Sequence, residues 1–179
     1  MAKVLYGATM SVDGFIAGVG GDMSWMQPYQ GPDPIADELV ANVGSCLIGG
    51  VSYRGDDPNM GTDKEGPFGG AWTGEQIVLT RSAPAVDVPG VTFAGDLDTA
   101  LRKARAAAGD KYVCLIGADV GRQCLDAGEV DDVLVFVAPI LLGDGVPLFR
   151  HLGGTNIRLD QPRVHTTPHA ITLWYEVVR

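Results

Sequence analysis

The sequence predicts an α/β protein with a mostly parallel central sheet, flanked by helices and finished by an antiparallel hairpin at its carboxyl end. Three features carry this reading. Short apolar runs alternate with capped, amphipathic stretches, which is the pattern of strands joined by helices. The runs near the middle are almost continuously apolar, as strands covered on both faces must be. Only the tail alternates strictly, with Ile171, Leu173, Tyr175 and Val177 on one face and Thr172, Trp174 and Glu176 on the other.

The first run, residues 4–10 (VLYGATM), is uncharged and reads as a buried strand. Residues 11–21 (SVDGFIAGVGG) end it with four glycines. Asp33 before Pro34 is a helix start, a capping carboxylate followed by a residue whose fixed φ suits the first turn, and the helix is expected to reach about Val43. Residues 46–48 (CLI) form a short buried strand running into Gly49 and Gly50. Residues 54–75 hold six glycines and no periodicity, so they read as a glycine-rich loop, either a mobile lid over a site or a disordered insertion. Residues 76–80 (QIVLT) and 91–94 (VTFA) are strands, separated by the turn-like Arg81-Ser82-Ala83-Pro84. Asp96 caps a helix over 96–108 that Gly109 ends. Residues 111–116 (KYVCLI) are another buried strand, and Gly117-Ala118-Asp119 lead into a helix ending at Gly128. Residues 131–139 (DDVLVFVAP) are the strongest strand, and residues 156–165 pair with the tail.

With 179 residues, 46% of them hydrophobic, the chain suits one domain, 1–179, rather than two. Thirteen basic against 22 acidic residues give a net charge of −9, which argues against a nucleic-acid binder, since that needs clustered cations to displace counterions. A small anionic ligand needs only one or two placed donors. Cys46, Cys114 and Cys124 lack paired spacing and sit in apolar runs, as buried thiols in a reducing compartment do. The opening segment turns polar too soon for a signal peptide, and no apolar stretch reaches the ~18 residues of a membrane helix. The expectation is a soluble, cytoplasmic protein.

In parallel sheets ligands bind beyond the carboxyl ends of the strands. Three such ends carry glycine: Asp13-Gly14, Gly49-Gly50 and Gly117-Ala118. Glycine lets a ligand approach backbone, and a helix start offers N–H groups to a phosphate, so together they suggest a nucleotide; singly each is equally a plain turn. Arg81 and Ser82 follow a strand directly and suit the 2′-phosphate of an NADP-type cofactor, or form a solvated loop. Asp13 is an isolated carboxylate placed to orient a substrate or assist protonation, or else an Asx-turn residue ahead of Gly14. His165 and His169 flank Pro168, which spoils the helix a zinc pair would need, and no metal site is expected.

Taken in order, these residues resemble the dihydrofolate reductase-like superfamily, and within it the family of the C-terminal reductase domain of the riboflavin-biosynthesis deaminase-reductase. Residues 10–17 (MSVDGFIA) are similar to its opening S-L-D-G-x-x-A motif, and residues 22–26 (DMSWM) to the tryptophan motif that follows. Residues 47–59 (LIGGVSYRGDDPN) resemble the G-x-x-T…D-D-P segment. Residues 117–149 match the long closing stretch through Leu125, Gly128, Asp131, Pro139, Gly143, Gly145 and Phe149.

The resemblance implies an NADPH-dependent reductase acting on a small heterocyclic, pterin- or pyrimidine-like substrate. It puts Gly49, Gly50 and Ser52 beside the cofactor, Gly117 and Ala118 at its pyrophosphate, and Arg81 and Ser82 at its adenosine phosphate. Asp13 and Trp25 would face the substrate, with Asp13 orienting it or relaying a proton. It also implies a homodimer, for which the apolar strand 133–139 and the following LLGDG offer a surface. The chain departs from the family in several places. It has Gly7 near the position of a family lysine, no arginine in 35–43, Gly117-Ala118 for a double glycine, and Gly50-Val51 where stand-alone relatives carry arginine. These departures leave open a second reading, a non-catalytic nucleotide-binding or sensing protein on the same fold.

Overall fold

The computed structural model describes all residues except 56 and 58, so Asp56 and Pro58 of the expected D-D-P motif lie outside the described residues. The elements run β1 (Val4–Ser11), β2 (Phe15–Ala17), α1 (Pro34–Asn42), β3 (Val43–Gly49), α2 (Gly50–Arg54), β4 (Glu75–Leu79), β5 (Val91–Ala94), α3 (Leu97–Ala108), β6 (Tyr112–Ile116), α4 (Ala118–Asp126), β7 (Asp132–Ala138), β8 (Val146–Pro147), β9 (Leu159–Thr166) and β10 (Ile171–Val177). Eight strands form one sheet in the order β5-β4-β3-β6-β1-β7-β10-β9, and β2 pairs with β8 outside it. The strands from β5 to β7 are parallel, while β10 is antiparallel to both neighbours.

Strand periodicity divides the core. Val4, Tyr6, Leu47, Ile77, Val113, Leu115, Val133 and Val135 face the layer formed by α3 and α4. The residues between them, Leu5, Cys46, Ile48, Val78, Cys114 and Leu134, face α1 and its surroundings. Both sheet faces are therefore apolar, and burial at ~25 cal/mol per Å2 of apolar area rewards both. The expected caps are present: Asp33 accepts from the N–H of Ile35 at 2.8 Å and Asp96 from that of Thr99 at 2.8 Å. Gly109, at φ +63°, ends α3 where an L side chain would be strained. Buried Ala100, Leu101, Ala104 and Ala108 line one face of α3, at helical spacing.

The hairpin partner of the tail begins at Leu159, and β10 lies between β7 and β9, which makes β9 the sheet edge. Described residues of the segment after Arg54 make contacts with the sheet and with each other. Trp72 donates from Nε1 to the carbonyl of Val43 at 3.0 Å, and Phe68 packs edge-on to Trp72 with ring centroids 6.3 Å apart, both against the α1-side core. Asp57 accepts from the N–H of Gly66 at 2.7 Å and bends the loop back on itself. Val43 opens β3, so these contacts lay the loop along the sheet face as the β3–β4 crossover. Among the described residues no helix is long and apolar enough to cross a membrane.

Candidate active site

The chain leaves β3 toward β4 and leaves β6 toward β7, although β3 and β6 are neighbours. Such divergence opens a crevice at the carboxyl ends of the strands, the usual place for a ligand in an open parallel sheet. Its two lips are Gly49-Gly50, starting α2, and Gly117-Ala118, starting α4. Gly117 is the N-cap of α4 and brings no side-chain cap, so the first N–H groups of that helix lack a capping side chain. Asp119 in the first turn opposes an anion there, but it is engaged by Arg122 at 2.8 Å.

The glycines at these lips have a more local purpose than leaving room for a cofactor. Gly117 sits at φ +114°, and the space where its side chain would stand is taken by the Oγ of Ser52. A Cβ on Gly50 would come within 2.9 Å of Thr80 Cβ and 3.1 Å of the Leu79 carbonyl. Each is glycine because the chain packs onto itself there, which brings Ser52 and Thr80 into the crevice wall. Gly49 differs, since a Cβ there would meet Val120 at an ordinary 3.8 Å. The structure thus brings Gly49, Gly50, Ser52, Gly117 and Ala118 together, as the sequence reading expected.

Arg81 and Ser82 are exposed just past β4. They are tied to the crevice by Thr80, whose Oγ1 accepts from the N–H of Ser82 at 3.1 Å and from Nη1 of Arg54 at 3.2 Å. Arg54 and Thr80 were not singled out from sequence. Arg54 fell in a stretch without periodicity, and α2, with five residues, is too short to leave a helical pattern. The signal that would have found it is an arginine four residues after a strand-end glycine.

Asp13 lies at a second divergence, where the chain leaves β1 toward β3 and β7 toward β10. Its carboxylate accepts from Ser11 Oγ at 2.6 Å, from the N–H of Leu142 at 3.1 Å and from that of Gly143 at 2.7 Å. The Ser11 hydroxyl, aided by the two backbone groups, holds the Asp13 carboxyl down to about 2. It is therefore anionic at neutral pH, joining the SVDG loop to the LLGDG loop. Trp25 sits in the short 3-10 helix Ser24–Tyr29, its indole N–H buried with no acceptor among the described residues. Among the described residues no hydrogen bond joins it to Asp13 or to the β3–β6 crevice. The three thiols are buried, and none belongs to the site.

A parallel sheet opened at these strand ends, with an antiparallel carboxyl-terminal hairpin, places the chain in the dihydrofolate reductase-like fold class. Within that class it belongs to the RibD C-terminal domain family, whose model matches residues 2–173. It is similar to the uncharacterized protein YyaP of Bacillus subtilis, 22% identical over 159 residues, covering 82% of this chain and 80% of that one. Among solved structures it superposes on a protein from Shewanella sp. PV-4 named for a suggested place in riboflavin biosynthesis, with a TM-score of 0.72, 22% identity and full coverage of both chains. It also superposes on the riboflavin biosynthesis reductase Rib7 of Saccharomyces cerevisiae, with a TM-score of 0.65, 15% identity, 99% of this chain and 90% of that one. At these identities the structural likeness speaks for the fold, and the fold and family resemblance read from the sequence are borne out.

Proposed function

We propose that the chain is an NADPH-dependent reductase that transfers hydride to a small heterocyclic, pterin- or pyrimidine-like substrate, in the manner of 5-amino-6-(5-phosphoribosylamino)uracil reductase or dihydrofolate reductase. The observation that supports it most is the crevice between Gly49-Gly50 and Gly117-Ala118, with the start of α4, which has no capping side chain, beside it. Backbone N–H groups at Gly117 and Ala118 suit a pyrophosphate, and Arg81 with Ser82 suits the adenosine phosphate. Gly49, Gly50 and Ser52 would flank the cofactor. A reduced nicotinamide, when bound, supplies the hydride. The chain's own contribution is to position the two reactants and keep water out. Asp13, anchored on Ser11 and Gly143, presents a fixed negative charge that orients a substrate donor or holds the water that relays a proton. The buried indole N–H of Trp25 is a donor for a substrate carbonyl once the loop around it shifts. The protein is proposed to act in the cytoplasm as a homodimer, with strand 133–139 and the LLGDG loop near the contact.

Titrating the protein with NADPH and NADH, followed by tryptophan fluorescence and thermal shift, tests this reading. Saturable stabilisation by NADPH is expected, and no response to either at millimolar concentration would sink it. A specific observation favours a second reading, a non-catalytic nucleotide sensor. The candidate proton source, Asp13, already accepts three hydrogen bonds within the chain and carries no proton at neutral pH. That reading predicts binding without NADPH oxidation against any substrate panel, and binding unchanged in Asp13→Asn.

A further inference from the structure

We infer that the amino ends of the parallel strands carry a second ligand site, an acidic cavity beside α1 that takes a small organic ammonium ion between Asp132 and Glu176. It lies at the opposite end of the sheet from the Gly49 and Gly117 crevice and does not depend on the dinucleotide reading.

Sheet register assembles the cavity. Asp132 is the first residue of β7, Tyr112 is the first of β6, and Lys3 directly precedes β1. On antiparallel β10, Glu176 stands across from Asp132 and Trp174 across from Leu134. Side chains alternate along a strand, so Asp132, Trp174 and Glu176 share the sheet face of Leu134, which packs on the α1 side. Glu38 of α1 and Arg163 of β9 complete the wall around about 360 Å3. A water takes roughly 30 Å3 of liquid volume, so the space admits a small organic molecule rather than a single solvent.

The charges in this cavity do not balance. Arg163 is committed to Glu38, donating to its two carboxylate oxygens at 2.9 and 2.7 Å, and lies 5.0 Å from the centre of the Trp174 ring. Asp132 has no such fork. Its side chain is 3% exposed, and its Oδ2 has no hydrogen-bond partner among the described residues. Lys3 Nζ stands 3.6 Å away, outside hydrogen-bond reach, on a side chain that is 54% exposed. Across the strand pair, Glu176 forms no ion pair among the described residues, and like charges opposed in this way destabilise a sheet. Burial pushes the Asp132 carboxyl up, with Lys3 and the neighbouring Tyr112 opposing the shift and Glu176 and Asp131 adding to it. Glu38, Asp132 and Glu176 set against Lys3 and Arg163 leave one negative charge unmatched. A buried carboxylate oxygen without a donor is costly, and a monocation that carries N–H groups supplies both the charge and the donor. Among the described residues no three His, Cys, Asp or Glu side chains converge as metal ligands, which favours an organic cation over a metal ion. The rings of Tyr112 and Trp174 offer its alkyl part an apolar wall.

The test is calorimetry with n-butylammonium chloride at constant ionic strength, set against tetramethylammonium chloride, which has the charge but no N–H donor. Saturable binding of butylammonium at millimolar concentration is expected, with tetramethylammonium about tenfold weaker or more. Asp132→Asn should lose about tenfold or more in butylammonium affinity, as loss of a hydrogen bond to a charged group does. Glu176→Gln should lose about two- to fivefold, as an exposed ion pair does. Circular dichroism first confirms each variant folded, and if Asp132→Asn does not fold, the exposed Glu176→Gln decides alone. No binding of butylammonium, equal binding of the two cations, or unchanged affinity in the folded variants would overturn the site. NADPH titration of the same wild-type protein reads the dinucleotide proposal separately, so failure of one leaves the other standing.

Discussion

Asp13 and Gly143, 130 residues apart in sequence, are joined by a 2.7 Å hydrogen bond from the Gly143 N–H to the Asp13 carboxylate. The bond closes the gap where β1 and β7 send the chain in opposite directions, and Ser11 completes it from inside. A motif that reads as a turn in sequence is in three dimensions a latch between the first and last parts of the site edge.

The latch sets an acid-dependent stability. The Asp13 carboxyl ionises lower in the folded than in the unfolded chain, so its contribution is fully present above about pH 4 and is lost as pH falls toward about 2. Asp13→Asn should flatten the decline in urea midpoint across that window. A variant that declines in parallel with the wild type would remove the latch.

At Gly117 two costs combine. Its φ of +114° strains any other residue, and Ser52 Oγ occupies the side-chain space. Gly117→Ala should destabilise by about 1–3 kcal/mol, read from chemical denaturation. Adding Ser52→Gly should restore part of this by removing the overlap, and the backbone strain should remain.

Thr172 is 1% exposed and donates to Asp33 Oδ2 at 2.7 Å, tying β10 to the start of α1. Thr172→Val leaves a buried carboxylate oxygen unpaired and should cost about 1–3 kcal/mol. Thr172→Ser should cost less, and a larger loss for Thr172→Ser than for Thr172→Val would show that the methyl group rather than the hydroxyl matters.

Burial pushes the Cys114 and Cys124 thiols up to about 12 and raises that of Cys46 further. A thiolate-selective reagent at neutral pH should therefore label none of the three in the native protein and all three after denaturation. Rapid native labelling of any one would contradict its placement in the core.

Arg81→Ala should weaken NADPH binding more than NADH binding if its exposed guanidinium meets the adenosine phosphate. Equal losses, read by fluorescence titration, would remove Arg81 from that role.

Local chemistry made much of this legible. Capping at Asp33 and Asp96, termination at Gly109, and the unbroken apolar runs of the parallel strands all act within a few residues, so the sequence displays them. The ordered run of motifs carried the family. Elements that exist only because a distant segment is present were not legible. The three-residue strand β2 forms against β8, α2 is held by Thr80, and the 54–75 segment is packed by Trp72 on Val43.

The sequence by itself determined the main strands and helices and that the sheet is parallel with an antiparallel finish. Periodicity and composition record which faces are buried, and these are local properties. Tertiary structure decided the strand order, and with it which ends diverge into a crevice. It decided that Asp13 is a latch, because both its backbone partners lie on the far loop. It also decided that Gly50 and Gly117 make room for Thr80 and Ser52. The space beside a glycine belongs to whatever the fold brings there, and a linear sequence does not say what that is.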